Sequence, residues 1–151
     1  MTLAALGTVT VTVSPREVLE FVCDLDRYRQ ADTKIVKVIE RAVLAEDGTG
    51  RAKYKGRLRG ISSPPDSNDV RLMRWRRADF TGSPNSFVRH LVDFHGWFTC
   101  EPTSEGTLVT HGETFTFHRP GKWFMEPYLR QWLHDDIASE MIRLGAILNP
   151  A

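Results

Sequence analysis

The chain has 151 residues, which is enough for one domain with a buried core. Hydrophobic residues make up 41% and charged residues 26%, no apolar run approaches the roughly 20 residues of a membrane span, and the first residues lack the pattern of a secretory signal. A net charge of +1 favours no class of partner for the chain as a whole. Cys23 and Cys100 lack the spacing of a disulfide framework, so we expect reduced, buried thiols in a single cytoplasmic domain over residues 1–151.

The chain is predicted to begin with a strand and two short helices. Residues 8–13 alternate between threonine and valine, which predicts a half-buried strand. Ser14 can cap the helix that follows, Pro15 suits its first position, and Glu17 can complete a capping box. Residues 24–30 predict a second short helix that turns the chain toward the next strands.

A run of strands follows the two helices. The predicted strands, separated by turns and loops, cover residues 34–46, 51–60, 70–80, 87–101 and 107–118. Two inner sets remain open for residues 70–77: Val70, Leu72, Arg74 and Arg76, or Arg71, Met73, Trp75 and Arg77. Helices at both ends of an antiparallel run predict an α+β fold with six to seven strands.

Residues 120–151 predict one long amphipathic helix that closes the domain. Apolar residues three or four apart form a stripe over roughly five turns: Leu129, Leu133, Ile137, Met141, Leu144 and Leu148. The charged residues between them are expected to point away from this stripe: Arg130, Asp135, Asp136, Glu140 and Arg143. Residues 121–125 are predicted as a short turn before Pro127, which suits the first helical turn. A single helix of this kind needs a concave partner, and a curved sheet can supply one while leaving a space between them.

The last two strands are predicted to form a hairpin with its apolar residues on one face. A turn centred between Thr103 and Ser104 gives this arrangement, whereas a centre moved by half a residue pairs apolar with polar positions. The preferred turn pairs Phe98 with Val109, Gly96 with His111, Phe94 with Glu113 and Val92 with Phe115. His111 and Glu113 then point to the interior, and Gly96 leaves room opposite His111.

Three stretches of the chain follow a known family pattern. They are residues 8–18, which include Ser14-Pro15-Arg16-Glu17-Val18 and are followed by Asp24-Leu25-Asp26-Arg27-Tyr28; residues 96–102 (Gly-Trp-Phe-Thr-Cys-Glu-Pro); and residues 106–111 (Gly-Thr-Leu-Val-Thr-His). With the closing helix, they resemble the SRPBCC superfamily, also called the START-like or birch-pollen-allergen-like helix-grip fold. The polyketide cyclase/dehydrase and lipid-transport group is the most similar branch, and the resemblance covers almost the whole chain. It implies a curved antiparallel sheet wrapped around the long C-terminal helix, with a small hydrophobic ligand between them.

The chain departs from this family pattern in two places. Family members often have a Pro-x-Trp motif after the second helix, where this chain has Arg29-Gln30-Ala31-Asp32. The family's aromatic residue two places after the glycine is Phe98, so Trp97 is expected to face outward. The first departure affects the cavity mouth, so the resemblance implies no particular ligand. The group shares no catalytic signature that transfers to this chain position by position.

His111 and Glu113 are the candidate catalytic residues. They lie on one strand face, about 7 Å apart, and in a cavity they can act as acid and base in an aldol or dehydration step. Alternatively, they are a structural pair that hydrogen-bonds internally, to Tyr54 or to water, or they orient the polar end of a ligand. The residues predicted to line the cavity are Tyr54, Leu58, Phe94, Phe98, His111, Glu113, Phe115, Trp132 and Met141.

Other features leave the choice of function open. The five histidines do not predict a metal site, since no two lie four apart on a helix, and no cofactor is expected. Residues 51–77 hold nine Lys and Arg against two Asp, a net charge of +7. This basic stretch fits either the solvated outer face of the sheet or a surface for an anionic membrane or an acidic partner. Large apolar residues at the start of the last helix either line the cavity entrance or pack on the sheet: Trp123, Phe124, Met125, Tyr128 and Trp132.

These features support three hypotheses. The first is a cytoplasmic protein, monomer or homodimer, that binds or transports a lipid, a polyketide or another aromatic molecule, with transient contact to an anionic membrane and no nucleic acid. The second is a polyketide aromatase/cyclase-like enzyme that uses His111 and Glu113. It ranks second because the sequence offers no nucleophile, metal set or phosphate loop. The third is a module that binds a macromolecular partner through the basic sheet face.

Overall fold

The fold is a curved antiparallel sheet with a long helix against one face. The structure is a computed structural model that describes residues 2–150. Its elements are β1 (Leu3–Val11), α1 (Pro15–Cys23), α2 (Leu25–Tyr28), β2 (Ile35–Glu40), β3 (Thr49–Leu58), β4 (Ile61–Ser62), β5 (Asp66–Met73), β6 (Arg77–Gly82), a 3-10 helix (Val88–His90), β7 (Val92–Thr103), β8 (Gly106–Phe117) and α3 (Lys122–Leu148). Seven strands lie side by side in the order β1-β8-β7-β6-β5-β3-β2, and β4 pairs with β3. The predicted α+β helix-grip fold is confirmed.

The predicted capping box opens α1. The backbone N–H of Glu17 donates to Oγ of Ser14 over 3.2 Å, and the N–H of Ser14 donates to Oε2 of Glu17 over 2.9 Å. Pro15 is the first residue of α1. The strand before it covers Leu3–Val11 rather than residues 8–13, because it pairs with β8 along its whole length.

The strand predicted over residues 70–80 is two strands joined by a tight turn. In this turn the backbone N–H of Arg76 donates to the carbonyl of Met73 over 2.8 Å. The turn residues 74–76 are Arg, Trp and Arg, without the glycine, proline or asparagine that usually marks a turn, so the sequence does not reveal it. Val70 and Leu72 are buried, which decides the inner set, whereas Arg76 is exposed in the turn.

Three other predicted boundaries differ from the structure. The strand predicted over residues 34–46 ends at Glu40. Leu44 lies outside this strand but packs against the core. The strand predicted over residues 87–101 begins only at Val92, after the 3-10 helix. The loop predicted over residues 62–68 includes the end of β4 and the start of β5.

The β7–β8 hairpin differs from the predicted register by two residues. Its turn is centred between Ser104 and Glu105, so Phe98 pairs with His111, and Gly96 pairs with Glu113. Gly96, predicted to leave room opposite His111, therefore lies opposite Glu113. The ring of Phe94 occupies that room, since a Cβ atom on Gly96 would lie 2.8 Å from Cζ of Phe94. Because a shift of two keeps every side chain on its face, the inward direction predicted for His111 and Glu113 holds. Both are almost fully buried.

Gly106 is the physical reason for this register. Its φ is 136°, a backbone conformation that favours glycine. A Cβ atom at this position would lie 2.0 Å from the carbonyl oxygen of Val11 on the neighbouring strand. The turn is therefore fixed directly before Gly106, one residue later than predicted.

The closing helix begins within the predicted residues 120–151 and has no separate turn over its first residues. α3 covers Lys122–Leu148, so the residues expected to form a turn are helical and Pro127 lies inside the helix. The predicted apolar stripe is buried, mainly against β1 and β8. Ala151, the predicted last residue of the helix, lies outside the described residues.

The expectation that the charged residues of α3 point away from the stripe is wrong for two of them. Glu140 is 0% exposed, and the side chain of Asp136 is 9% exposed. Each lies three residues after a buried member of the stripe, Ile137 and Leu133 respectively. A residue at this spacing shares the inward face of the helix.

A polar layer separates two apolar clusters in the interior. Along β8, Val109 belongs to the first cluster and Phe115 to the second. His111 and Glu113 lie between them on the same face, and Glu140 reaches the same level from α3. Buried polar groups in such a place need partners, which makes this layer the first place to search for a site.

Candidate functional site

The buried ammonium group of Lys34 is the centre of the site. Its Nζ atom lies 2.6 Å from Asp136 Oδ2, 3.0 Å from Glu140 Oε2, 3.0 Å from Asp32 Oδ1 and 3.3 Å from Glu113 Oε1. The contacts with Asp136 and Glu140 are hydrogen bonds. We call these five residues the Lys34 cluster. It joins the segment before β2 to β8 and to α3.

Backbone contacts hold Lys34 in this position. Its N–H donates to Oδ1 of Asp32 over 2.9 Å, and its carbonyl accepts from the N–H of Arg57 over 2.9 Å. The side chain thus enters the interior at the start of β2, and only 8% of it is exposed. Removing one partner of such a buried ion pair leaves the other charge uncompensated, which costs about 3–5 kcal/mol. The Lys34 cluster is therefore important for folding as well as for any ligand.

Burial and neighbouring charges act in opposite directions on Lys34 and Glu113. Burial alone lowers the pKa of Lys34, but the attraction of the surrounding carboxylates outweighs it and raises the pKa above its ordinary value. Burial alone raises the pKa of Glu113, but the charge of Lys34 and the hydrogen bond with His111 lower it to about 2. Lys34 and Glu113 are therefore a charged pair in the interior.

Burial has the larger effect on the pKa of two other carboxyl groups of the Lys34 cluster, Glu140 and Asp32. It raises the pKa of Glu140 well above its ordinary value, with the charge of Arg143 opposing this change in part. It also raises the pKa of Asp32, with the charge of Lys34 opposing it. Glu140 consequently keeps its proton to a higher pH than an exposed glutamate, whereas Glu113 loses its proton readily.

His111 connects these two carboxyl groups. Its Nε2 atom lies 3.1 Å from Oε1 of Glu113 in a hydrogen bond and 3.2 Å from Oε1 of Glu140, which is not aligned for one. Its Nδ1 atom lies 2.9 Å from the carbonyl oxygen of Trp97, so Nδ1 carries a proton and donates. The ring stacks on Phe98 with a centroid distance of 4.0 Å. An imidazole held in this way can pass a proton between an acid and a base.

Two adjoining chambers lie on the inner face of the sheet. Strand residues, the segment before β2, α2 and the 3-10 helix line them, and no described residue of α3 does. The outer chamber has a volume of about 110 Å³ and opens beside Arg57. The inner chamber has a volume of about 40 Å³ and reaches Phe98 and His111. Five aromatic side chains line the inner chamber: Tyr28, Tyr54, Phe80, Phe94 and Phe98. The outer chamber combines three aromatic side chains (Tyr54, Phe94 and Phe115) with aliphatic ones and with five charged residues: Asp32, Lys34, Arg57, Asp66 and Glu113. A cavity of about 150 Å³ can hold benzene, so the two chambers have room for a small organic group.

Two buried polar atoms at these chambers have no hydrogen-bond partner among the described residues. Oε2 of Glu113 is one of them, and Glu113 lines both chambers. The hydroxyl group of Tyr28, at the inner chamber, is the other. An unpaired polar atom in a protein interior costs about 1–3 kcal/mol. A ligand or water that pairs with these atoms would recover that energy.

Seven of the nine residues predicted to line a cavity do line the chambers: Tyr54, Phe94 and Glu113 both of them, Leu58 and Phe115 the outer one, and Phe98 and His111 the inner one. Trp132 and Met141 pack in the apolar clusters instead. Met141 faces β1, since a Cβ atom on Gly7 would lie 2.8 Å from its Cγ. The helix contributes polar residues rather than these two to the level of the chambers.

Sequence analysis missed Asp32, Lys34, Asp136, Glu140 and Tyr28. Two of them had a signal, because Asp136 and Glu140 continue the inward stripe at spacings of three and four. Lys34 had a weaker one, as a lone cation at the start of an apolar strand. Nothing in the sequence indicates that these distant residues meet.

Two sets of three side chains have donor atoms within 4.8 Å of one another. One consists of His111, Glu113 and Glu140, and the other of Asp32, Asp136 and Glu140. The ammonium group of Lys34 contacts all three members of the second set, so it supplies the positive charge that a metal ion would bring there. The first set has the donor types that zinc accepts, but Glu113 and His111 already bond to each other.

A larger depression, of about 730 Å³, lies on the outer face of the sheet. Its charged residues pair with one another: Arg51 with Asp69 over 3.0 Å and His95 with Asp79 over 2.7 Å. We assign the candidate functional site to the outer and inner chambers instead. There the polar atoms are buried and unpaired, which is the arrangement that a ligand can satisfy.

Exposed apolar side chains lie beside the 3-10 helix and at the start of α3. Phe87 and Leu91 flank the 3-10 helix whose Val88 lines that chamber. Trp123 and Phe124, at the start of α3, are 67% and 62% exposed, so they neither line a chamber nor pack on the sheet. We call Phe87, Leu91, Trp123 and Phe124 the entrance rim. Leu91 accepts a backbone hydrogen bond from His118, next to the turn that leads into α3.

The basic residues of β3 lie on the outer face of the sheet. Arg51, Lys55 and Arg57 are exposed, whereas Ala52 between them is buried. Trp97 also lies on the outer face, with the guanidinium group of Arg77 5.8 Å from its ring. The predicted division of β3 into a basic and an inner face therefore holds within the strand. Arg59, predicted on the basic face, lies beyond the end of β3 and contacts Tyr128 of α3, with its guanidinium carbon 4.4 Å from the ring centre.

The chain and its fold are similar to known proteins. A family model described as polyketide cyclase / dehydrase and lipid transport matches residues 5–148. A START superfamily protein from Mycobacterium smegmatis is 15% identical, with a TM-score of 0.74 and 96% of each chain covered. Zhui aromatase/cyclase from Streptomyces sp. R1128 is 13% identical, with a TM-score of 0.73, 98% of this chain and 94% of that chain covered. At these identities the structural similarity shows the fold.

A third similar structure is the protein TTHA0849 from Thermus thermophilus. It is 16% identical, with a TM-score of 0.72, and 96% of this chain and 94% of that chain are covered. No curated protein matches the chain in sequence. Among residues 2–150, no helix has both the length and the apolar character that crossing a membrane requires.

Proposed function

Since the chain belongs to the polyketide cyclase/dehydrase and lipid-transport family, we propose that it binds a small, largely hydrophobic molecule in the two chambers. The observation that carries this proposal is the combination of aromatic walls with the two unpaired polar atoms of Glu113 and Tyr28. Binding gains free energy from the burial of apolar ligand surface, at roughly 25 cal/mol per Å². The polar atoms fix the orientation of the ligand.

The chambers limit the size of this ligand. Pockets for drug-sized molecules have volumes of roughly 300–1,000 Å³, whereas the two chambers together offer much less. A single aromatic ring or a short acyl group fits inside. A longer lipid or polyketide keeps its remaining length in the mouth beside Arg57 or moves the side chains around it.

Blocking the outer chamber tests this proposal. Val88→Trp places a large ring at the wall of the chamber, while Phe87→Trp changes the neighbouring residue, which is 68% exposed. Native mass spectrometry and thermal-shift screening with small aromatic molecules should show binding to the wild type and to Phe87→Trp, and at least about tenfold weaker binding to Val88→Trp. Equal binding by both variants would show that ligands bind elsewhere, and the proposal would be wrong.

A second candidate function is acid–base catalysis in the same cavity, as in a polyketide cyclase or dehydrase. It is favoured by one imidazole nitrogen of His111 lying between the readily ionised Glu113 and the proton-retaining Glu140. His111→Asn and Glu140→Gln should then lower turnover of a β-keto substrate by about 10²-fold or more and leave its binding unchanged. Loss of binding in parallel with turnover would leave only the binding function.

We also propose that the protein makes contact with an anionic membrane. The entrance rim presents three aromatic side chains and one further apolar side chain, and the guanidinium group of Arg119 lies 5.5 Å from the ring of Trp123. Aromatic side chains next to cations suit the surface of an anionic bilayer. Cosedimentation with phosphatidylglycerol vesicles should weaken for Trp123→Ser with Phe124→Ser but persist for Ile142→Ser, which alters an equally exposed residue elsewhere on α3.

The basic outer face of β3 supports a partner-binding module less strongly, because Arg51 is paired with Asp69. Charge reversal at Lys53 and Lys55 tests this function, since it should abolish capture of an acidic partner and leave cavity binding intact. The expectation of a cytoplasmic setting continues to rest on Cys23 and Cys100. Both are free and buried, and burial raises the pKa of each thiol to about 12.

A further inference from the structure

The ammonium group of Lys34, in the cavity wall, has no N–H donor left for a ligand. The ammonium group of Lys34 has three N–H donors, and four carboxylate oxygens already lie within 3.3 Å of its Nζ atom. An anionic ligand group that approached it would have to displace one of these oxygens. It would also meet the carboxylates of Asp32 and Glu113, which line both chambers.

The wall carries unpaired acceptors instead. Oε1 of Glu113 is shared between Lys34 and His111, while its Oε2 has no partner among the described residues. The hydroxyl oxygen of Tyr28 is also unpaired. Both side chains are more than nine-tenths buried. A group that donates several hydrogen bonds would satisfy them together.

The charges at the chambers favour a cation over a neutral donor. Glu113 is ionised because Lys34 and His111 lower its pKa, it lines both chambers, and its free oxygen gains more from a charged donor than from a neutral one. Aromatic side chains form much of the inner chamber, and aromatic rings attract cations. The inner chamber, at about 40 Å³, is large enough for one group of the size of a water molecule.

We infer that the ligand enters with a protonated amine first, so that its ammonium group lies in the inner chamber against Glu113 and Tyr28 and its apolar body fills the outer chamber. This inference rests on the proposed function, because it assigns a chemical class to the ligand of the same cavity. The ligand class is a small primary amine with an aromatic or short aliphatic body. Its N–H donors can pair with the two unpaired oxygens of the wall, and its charge faces the carboxylate of Glu113.

A series of molecules with one body and different head groups tests this inference. Benzylamine, benzyl alcohol, toluene and benzoate are titrated into the full-length protein at pH 7, with binding followed by NMR chemical shifts and calorimetry. We expect benzylamine to bind about tenfold or more tightly than benzyl alcohol and toluene, since hydrogen bonds to charged groups are stronger than neutral ones. Benzoate should bind most weakly.

Two variants locate the selectivity. Glu113→Gln should reduce benzylamine binding to the level of benzyl alcohol, and Tyr28→Phe should weaken benzylamine binding several-fold with little change for toluene. Asp66→Asn is the matched control, because Asp66 lines the outer chamber and accepts a hydrogen bond from Ser86. It should retain the preference for the amine. If Glu113→Gln does not fold, Tyr28→Phe with the head-group series decides the question.

The outcomes separate this inference from the function on which it rests. Equal binding of all four molecules, or tighter binding of benzoate, would overturn the amine inference and keep the cavity as a hydrophobic site. An equal loss of preference in Asp66→Asn and Glu113→Gln would also overturn it, since a general negative potential would then explain the selectivity. Binding of none of the four would remove the proposed function and the inference together.

Discussion

The Nζ atom of Lys34 lies 2.6 Å from Oδ2 of Asp136, a residue 102 positions later in the chain. This contact joins the segment before β2 to the closing helix across the interior. Lys34 lines the outer chamber, and Asp136 belongs to the helix that packs on the core. Stability and ligand binding therefore depend on the same group of side chains.

Replacement of Lys34 should destabilise the fold strongly. Lys34→Met leaves Asp136, Glu113 and Asp32 without their cation, and we expect a loss of about 3–5 kcal/mol in the free energy of unfolding. Urea denaturation at pH 7 measures this loss. Lys37→Met is the matched control, since Lys37 is exposed on β2 and its loss should change stability by no more than about 0.5 kcal/mol. Equal effects of the two substitutions would mean that the cluster does not stabilise the fold.

The stabilising effect of Glu113 should disappear in acid. Its pKa is about 2 in the folded protein, below the ordinary value of 4.5, so its contribution is complete above pH 4.5 and is lost as the pH falls toward 2. The difference in unfolding free energy between the wild type and Glu113→Gln should shrink over this range by roughly 3 kcal/mol. A difference that is constant with pH would contradict the lowered pKa.

Glu140 should have the opposite pH dependence. Its pKa is raised in the folded protein, so above pH 4.5 the unfolded chain loses this proton while the folded chain keeps it. The unfolding free energy then falls as the pH rises toward the folded-state pKa, by up to about 1.4 kcal/mol per pH unit from this group. Glu140→Gln should remove this fall, which begins above the ordinary pKa of 4.5. An unchanged slope in the variant would show that Glu140 is ionised in the folded state.

Gly106 should not tolerate a side chain. Gly106→Ala would bring a Cβ atom to 2.0 Å from the carbonyl oxygen of Val11 at a φ of 136°. We expect a loss of about 2 kcal/mol or more, or a shifted hairpin. At Gly82 a Cβ atom meets nothing within 4 Å, so Gly82→Ala should have little effect. Thermal unfolding compares the two variants, and hairpin amide shifts report the register.

The sequence predicted directions of side chains better than it predicted partners. Alternation placed His111 and Glu113 on the inner face, and this holds although the register differs by two residues. The register itself depends on the contact of Gly106 with Val11, which belongs to another strand and leaves no periodic signal. Local patterns therefore fixed which face a residue occupies, while the fold decided what lies opposite.

The Lys34 cluster could not be found by the same approach. Each of its residues satisfies a local pattern that has an ordinary explanation: a lysine at a strand start or an acid on a helix surface. Their significance appears only when β2, β8 and α3 come together. The spacing of Asp136 and Glu140 within the stripe was the one available indication, and charge was given more weight than position.

The polar layer between the two apolar clusters also sets a depth limit for any guest molecule. A hydrocarbon tail that passed Glu113 and His111 would have to separate charged groups from their partners to move deeper into the first cluster, whose Phe80 and Phe98 line the inner chamber. The cavity is thus closed at its far end by electrostatics as well as by packing. The cavity therefore accepts only a limited length of a ligand, counted from its buried end. Any part of the ligand beyond that length stays outside, within reach of another macromolecule.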